Sequence, residues 1–404
     1  MTTNHKTWSF HAPGELIFGR GSARKLGEIT TRLGAGRVLI VTDPALVEAG
    51  VLKQVHQPLA DAGKDVAVFD GGAPEPPMEA VEDAVKLANE FKPDVLLGLG
   101  GGSNMDIAKA TAAVLVHGGT AKDYAGDGLI PGPVFPLILM PTTAGTGSEV
   151  TFAAVLADTK QGVKFGILSN YLRPKVAVVD PLLTLSCPPK VTAISGIDAL
   201  THAIEAYTAI DNEDFQLPEG ESSVYQGQHP IATSLAERAI QSIGQSLSRA
   251  VNDGSNVKAR EDMAMGATIA GLAFANIGVA IAHALEYGIG QTVHTPHGLG
   301  CGLMLPYVMR FNAPARLPQM ARIAALLGEE IAGIDDEAAA MKAIGFVEKL
   351  RADIGIPARM SEVGIKQDHL RKMAETSFGF KRILRVNPRP VTQQDLESIL
   401  SEAL

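Results

Sequence analysis

Apolar and polar positions in the first half of the chain alternate between two rhythms. RVLIVTD (37–43) is a short β-branched run followed by a helical pattern through Leu59, and DVAVFD (65–70) is a second such run. After the proline-rich turn APEPP, MEAVEDAVKLANEF (78–91) has helical period, and DVLLGLG (94–100) then runs straight into GGSNMDIAKATAAVLV (101–116). Strand, helix, strand, helix in this order predicts βαβ units around a parallel sheet. Further strands are expected at PLILMPTT (136–143), EVTFAAVLAD (149–158), VKFGIL (163–168) and KVAVVD (175–180). From Val191 onward the patterns are helical, as in 234–251, 261–285, 317–328 and 329–355. The expected organisation is an α/β domain with a parallel sheet over 1–189 and an all-α domain over 190–404. Residues 210–230, polar and turn-rich, read as a surface insertion.

Bulk composition narrows the function classes. A chain of 404 residues exceeds one ordinary core and fits two domains, at roughly 100 to 200 residues each. A formal charge of −9 with no run of Lys or Arg argues against nucleic acid as a partner. The two cysteines, Cys187 and Cys301, read as unpaired thiols in a reducing compartment. The N-terminal stretch lacks the apolar core of a secretory signal, and no segment reaches the ~18 consecutive apolar residues of a membrane span. A cytoplasmic protein without a membrane partner is expected. Residues 265–284, rich in Ala and Gly, suit a helix buried among other helices.

Two small-residue turns follow strands. Gly100, Gly101 and Gly102 with Ser103 lie between a strand and a helix whose first turn carries Asp106, and free N–H groups there can hold a diphosphate. The spacing is not the GxGxxG fingerprint, and a glycine turn that only packs tightly is the alternative. Thr142, Thr143, Thr146 and Ser148 form the second turn, suited to phosphate or ribose. Asp43, at the end of the first strand, can accept hydrogen bonds from ribose hydroxyls and would repel a 2′-phosphate, which favours NAD over NADP. Its alternative is a turn residue before Pro44.

The stretch GIDALTHAIEAY (196–207) places Asp198 and His202 four residues apart, one above the other on a helix face. Ser195 followed by Asp198 also reads as a helix-start capping pattern. Downstream, His283 sits within the apolar GVAIAHAL and must find a partner, and His297 sits in TPHG, where Pro296 suits a helix start. Gly288, Gly290 and Pro296 are expected to break any continuous helix between the two histidines. One Asp and three His suit Fe²⁺, Zn²⁺ or Ni²⁺ and not the all-oxygen shells of Ca²⁺ or Mg²⁺. His294 is a neighbouring candidate, and His5, His11, His56, His117, His229 and His369 read as ordinary surface or packing residues.

GLGGGSNMDIAK, PTTAGTGSE and the Asp/His set together resemble the iron-containing (group III, metal-dependent) alcohol dehydrogenases, from FHAPGELIFGRG to NPRP near residue 388. The resemblance implies a Rossmann-like, dehydroquinate-synthase-like α/β domain over 1–189 that binds the dinucleotide, a helical metal-binding and catalytic domain over 190–404, a homodimer or larger homo-oligomer, and hydride transfer between a small alcohol and NAD at a divalent ion in the cleft between domains. It puts Asp198, His202, His283 and His297 on the four ligand positions. The glycines with Ser103 would hold the diphosphate, the threonine turn would lie along the cofactor, and Lys164 would approach the nucleotide. Lys109 reads as structural or solvent-facing. Tyr287 stands where many members carry a second histidine, so a histidine relay is absent and packing or substrate contact is expected there. VYQGQHPI also resembles the hydroxyacid-oxoacid transhydrogenase branch, so tightly held NAD is an alternative. A nucleotide-binding protein with a structural metal and no catalysis is another. Phe152, Ala153, Ile277 and Ala280 are candidate pocket walls. Lys381, Arg382 and Arg385 are either a solvated basic face or a contact for an anionic substrate.

Overall fold

The computed structural model describes residues 7–404, so His5 lies outside the described residues. The described residues form two compact units, His11–Cys187 and Pro188–Leu404, the latter joined by residues 7–10.

The first unit is built on strands β1 (Leu16–Phe18), β2 (Arg37–Val41), β3 (Asp65–Phe69), β4 (Val95–Gly100), β5 (Gly126–Asp127), β6 (Leu137–Pro141), β7 (Ala153–Asp158), β8 (Val163–Leu168) and β9 (Val176–Val179). Its helices are α1 (Leu26–Arg32), α2 (Pro44–Glu48), α3 (Val51–Asp61), α4 (Met78–Phe91) and α5 (Gly102–His117). Six strands form a parallel sheet in the order β1-β9-β6-β4-β2-β3, and β5-β8-β7 make a separate small sheet. Successive residues of β4 serve opposite layers: Leu97 and Leu99 join one core with Val38, Ile40 and Ile138, while Leu96 joins the other with Leu39, Val41 and Leu139. A parallel strand covered on both faces therefore reads as a continuous apolar run. The helical pattern expected through Leu59 is two helices, α2 and α3, separated at Gly50. The strand expected from Glu149 begins at Ala153, because Ser148–Val150 form a 3₁₀ turn. With β3 beyond β2 and β6 beyond β4, the chain reverses direction across the sheet between β2 and β4. Ligands of open α/β sheets settle at the carboxyl ends of such strands.

The second unit holds α6 (Pro189–Thr208), α7 (Pro230–Asn252), α8 (Val257–Ile277), α9 (Ile281–Val293), α10 (His297–Asn312), α11 (Leu317–Leu327), α12 (Asp336–Asp353), α13 (Leu370–Gly379), α14 (Lys381–Leu384) and α15 (Gln393–Ala403). Helix α6 is buried along nearly its whole length and packs against α7, α8 and α10, as an all-round apolar helix must. It starts at Pro189, so Ser195 and Asp198 lie well inside it and the capping reading of Asp198 is excluded. The pattern at 261–285 is two helices, α8 and α9, meeting at 101°. Gly288 and Gly290 lie inside α9; the break before His297 comes at His294, in a left-handed conformation (φ 51°). Among the described residues no single helix is long and apolar enough to cross a membrane.

The insertion is pinned more firmly than a surface loop. Asn212, Phe215 and Tyr225 are buried. Gln228 Nε2 donates to Tyr207 O (2.6 Å) and Ala209 O (2.9 Å), and the Gln226 and Gly227 amides both donate to Ile277 O.

Candidate active site

Helix α5 starts at Gly102 with no side chain capping it, so its first N–H groups face outward beside the carboxyl ends of β2, β4 and β6. Gly100 has φ 146°, and a Cβ there would collide with the Asn104 amide. That amide donates to Leu99 O (3.1 Å) and Asp43 Oδ2 (2.6 Å), tying the glycine turn to the end of β2. Asp43 Oδ1 accepts from Leu46 N (3.0 Å), so where the sequence offers a turn residue before Pro44 the structure has the cap of α2. Each carboxylate oxygen keeps a second lone pair for a ribose hydroxyl. The threonine turn lies against the glycine turn: a Cβ on Gly102 would stand 2.9 Å from Thr146 Cγ2, and one on Gly101 would stand 3.6 Å from Thr143 Oγ1. The Thr142 amide donates to Gly100 O (3.0 Å).

Asp106 and Ser148, read from sequence as cofactor contacts, spend their polar atoms on the protein. Asp106 accepts from Ser148 Oγ (2.8 Å) and Val155 N (2.9 Å). Lys109 is fully buried, which excludes the solvent-facing reading, and its ammonium donates to Ser148 Oγ (2.8 Å), Thr151 Oγ1 (3.1 Å) and Ala153 O (2.7 Å). Burial lowers Lys109 to about 8, against the raising influence of Asp106 and Glu149. Burial likewise raises Asp106. Lys164 pairs with Glu75 at 2.8 Å.

In the helical unit, Asp198 and His202 from α6 meet His283 from α9 and His297 from the first turn of α10. His283 Nε2 and His297 Nε2 stand 3.8 and 3.9 Å from Asp198 Oδ1, and His202 Nδ1 stands 3.9 Å from Asp198 Oδ2. The His202 ring stacks between Phe274 (4.1 Å) and His283 (4.6 Å). The tightest donor group, with one atom from each residue inside 4.8 Å, is Asp198, His283, His297 and Cys301; His202 stands at its side. Asp198 Oδ1, His202 Nδ1 and His283 Nε2 are buried with no hydrogen-bond partner among the described residues. Orphaned buried polar atoms are costly, and three gathered in one place fit a cation as their partner. Burial lowers His202 to about 3, so its ring is neutral with a lone pair to offer. Burial would raise Asp198, but His202, His297 and His283 together hold it below its ordinary value.

Two buried carboxylates aim these rings. Glu205 accepts from His283 Nδ1 (2.6 Å) and from the amides of Ala280 (2.8 Å) and Ala282 (2.6 Å), fixing the start of α9 as well as the ring. Glu286 accepts from His297 Nδ1. Such carboxylate–histidine pairs leave Nε2 unprotonated toward a metal. A Cβ on Gly298 would strike Ile194 O and come within 2.9 Å of Asp198 Cβ, so only glycine lets α10 approach α6 here. Neither glutamate was singled out from sequence. Each stands three residues after a candidate ligand in an apolar run, where a carboxylate has to be satisfied. Cys301, one helical turn after His297, was read only as a free thiol; its Sγ lies 3.7 Å from His297 Nε2. His294, the neighbouring candidate, is exposed at the end of α9.

Tyr287 stacks on Phe380 (4.3 Å) and lies 6.2 Å from the His297 ring. Burial, then Glu286, raises its phenol above the ordinary value, which makes it a poor proton acceptor at neutral pH.

Residues 13–181 match the family described as iron-containing alcohol dehydrogenase, and residues 220–404 match the C-terminal domain of the Fe-containing alcohol dehydrogenase family. The chain is 39% identical over 389 residues to long-chain-alcohol dehydrogenase 1 of Geobacillus thermodenitrificans, covering 95% of this chain and 94% of that one. It is 35% identical to the NAD-dependent methanol dehydrogenase of Bacillus methanolicus, over 98% of this chain and all of the other. A solved 1,3-propanediol oxidoreductase superposes with a TM-score of 0.92 at 35% identity, over 99% of this chain and 100% of that one.

Proposed function

Because the chain belongs to the iron-containing alcohol dehydrogenase family, we propose that it interconverts small alcohols and their aldehydes or ketones with NAD, using one divalent ion held by Asp198, His202, His283 and His297. The observation that carries this reading is the convergence of three partnerless buried atoms, Asp198 Oδ1, His202 Nδ1 and His283 Nε2, in one pocket. When bound, a divalent ion supplies Lewis acidity to the alcohol or carbonyl oxygen, and NAD supplies the hydride acceptor.

The chain's own residues do the rest. Asp198 contributes the negative charge of the donor set. His202, kept neutral by burial, contributes a lone pair. Glu205 and Glu286 hold His283 and His297 in the tautomer whose Nε2 is free. Phe274, stacked on His202, gives one side of the donor set an apolar wall. Gly100 to Gly102, Ser103 and the start of α5 are the natural diphosphate seat, with Thr142, Thr143 and Thr146 along the cofactor and Asp43 at the ribose. Asp106 and Lys109 on α5, bonded to Ser148 in the 3₁₀ turn, brace that seat from behind. With Tyr287 unsuited to take the hydroxyl proton, that proton passes to solvent.

The test is metal-reconstituted protein with NAD and a panel of small primary alcohols and diols, read as NADH released to solution, with metal content measured on the same sample. Multiple turnovers and about one ion per chain are expected. Full activity after exhaustive chelation, with no metal detectable, would sink the proposal.

A further inference from the structure

The sequence groups Lys381, Arg382 and Arg385 as one basic cluster; the structure separates them. Lys381 is exposed, its ammonium over the Phe378 ring at 2.8 Å. Arg385 is paired with Glu221 of the insertion. Arg382 is neither fully exposed nor ion-paired among the described residues. Its guanidinium lies 5.0 Å from the centroid of the buried Tyr225 ring, and its Nη1 is buried with no hydrogen-bond partner among the described residues. Its charge is felt at Tyr287, the ring that stacks on Phe380 and lies beside His297.

A guanidinium nitrogen withdrawn from water and left without an acceptor carries a standing desolvation cost. Stacking on a ring offsets part of that cost but supplies no acceptor. Arginine presents a planar fork that matches a carboxylate with two parallel bonds. Tyr225, from the insertion, stacks against Arg382, and Tyr287, from α9, lies close enough to feel its charge, so the unpaired nitrogen belongs to the surroundings of the His297 ring.

We propose that Arg382 reads an anionic group at the far end of the substrate, making short hydroxycarboxylates and their semialdehydes the preferred substrates. This rests on the dehydrogenase reading above. The reaction balances as HO–CH₂–R–COO⁻ plus NAD⁺ giving OHC–R–COO⁻, NADH and H⁺. The hydride leaves the carbinol carbon, the hydroxyl proton goes to solvent, and the carboxylate on Arg382 is unchanged. A buried donor built to pair with an anion penalises the analogue that lacks it, because the donor is then left unpaired.

The experiment compares kcat/KM for 4-hydroxybutyrate and 1-butanol in the metal-reconstituted full chain with NAD, for wild type, Arg382→Met and Arg382→Lys. Wild type should favour the acid by at least about 100-fold. That ratio should fall by about 100-fold in Arg382→Met, chiefly through KM for the acid, and by less in Arg382→Lys, which keeps the charge without the fork. Lys381→Ala, removing an exposed charge, should keep the wild-type ratio. Wild type favouring butanol, or an unaltered ratio in Arg382→Met, would overturn the role of Arg382 and leave the dehydrogenase reading standing. Turnover of neither compound, nor of any other alcohol, would overturn both. Because the wild-type preference is itself a test, a poorly folding variant does not protect the proposal.

Discussion

At the scale of single residues, the ligand candidates were legible because their chemistry is local: a carboxylate and an imidazole four apart on a helix share a face whatever surrounds them. Their supports were not, because Glu205 meets His283 only after a turn of the chain brings α9 back beside α6. The Glu205 geometry yields a sharp expectation. Two backbone amides and His283 Nδ1 all donate to that carboxylate. In Glu205→Gln the single oxygen cannot serve all three donors: an NH₂ at the Oε2 place faces the Ala280 amide and Nδ1, forcing the ring proton to Nε2 where a metal would bind, and one at the Oε1 place faces the Ala282 amide and loosens the start of α9. Metal affinity should drop about 10- to 100-fold, measured by competition with a calibrated chelator; unaltered affinity would refute the orienting role. Asp43 supports a second expectation. Asp43→Gly removes a charge facing a 2′-phosphate and also the cap of α2, so the preference for NAD over NADP should narrow while KM for NAD rises. A wild type that already prefers NADP would remove Asp43 from the ribose.

At the scale of elements, periodicity revealed type and order but misjudged ends. The helical pattern after β2 conceals a break at Gly50, and the pattern at 261–285 conceals a 101° bend, because small apolar residues satisfy a helix face on either side of such a break. For Lys109 the sequence leaves a structural and a solvent-facing reading open, and the structure decides for the first. A lysine in a helix is normally solvated, and only the fold shows that three acceptors around the 3₁₀ turn enclose it. Its folded value, about 8, lies below the ordinary 10.5. Between those values the unfolded chain carries a proton that the folded chain lacks. This group's contribution to stability is therefore fully present above the unfolded value and is lost as pH falls toward 8, by at most about 1.4 kcal/mol per pH unit. Lys109→Met should abolish that part of the slope in denaturant titrations at pH 8 and 10. It should also cost about 1–3 kcal/mol at pH 7, since Ser148, Thr151 and Ala153 O lose their donor. Equal pH slopes in the two proteins would show that Lys109 does not titrate in this window.

At the scale of the molecule, the chain assigns its two candidate ligand sites to different compact units, and that division makes the last expectation. All four proposed metal ligands, with Glu205 and Glu286, lie beyond Pro188; the glycine turn, the threonine turn and Asp43 all lie within His11–Cys187. Neither set borrows a donor from the other, so loss of one ligand should not entail loss of the other. His283→Ala deletes one ring of the donor set and leaves Glu205 bonded to the Ala280 and Ala282 amides, so the start of α9 keeps its anchor. This variant should lose most of its metal, as read by elemental analysis after dialysis. Its NAD affinity, read by calorimetry without substrate, should stay within about threefold of wild type, since sites without shared partners usually behave additively to a few tenths of a kcal/mol. Gly102→Val is the converse. A Cβ there already stands 2.9 Å from Thr146 Cγ2, and the two further methyls would fill the approach to the start of α5. NAD binding should weaken by more than about tenfold, with about one ion per chain retained, since a hydrogen bond to a charged phosphate is worth about 1.5–3 kcal/mol. If either variant loses both ligands while its thermal unfolding remains cooperative, the two sites are coupled, and the assignment of one ligand to each unit fails.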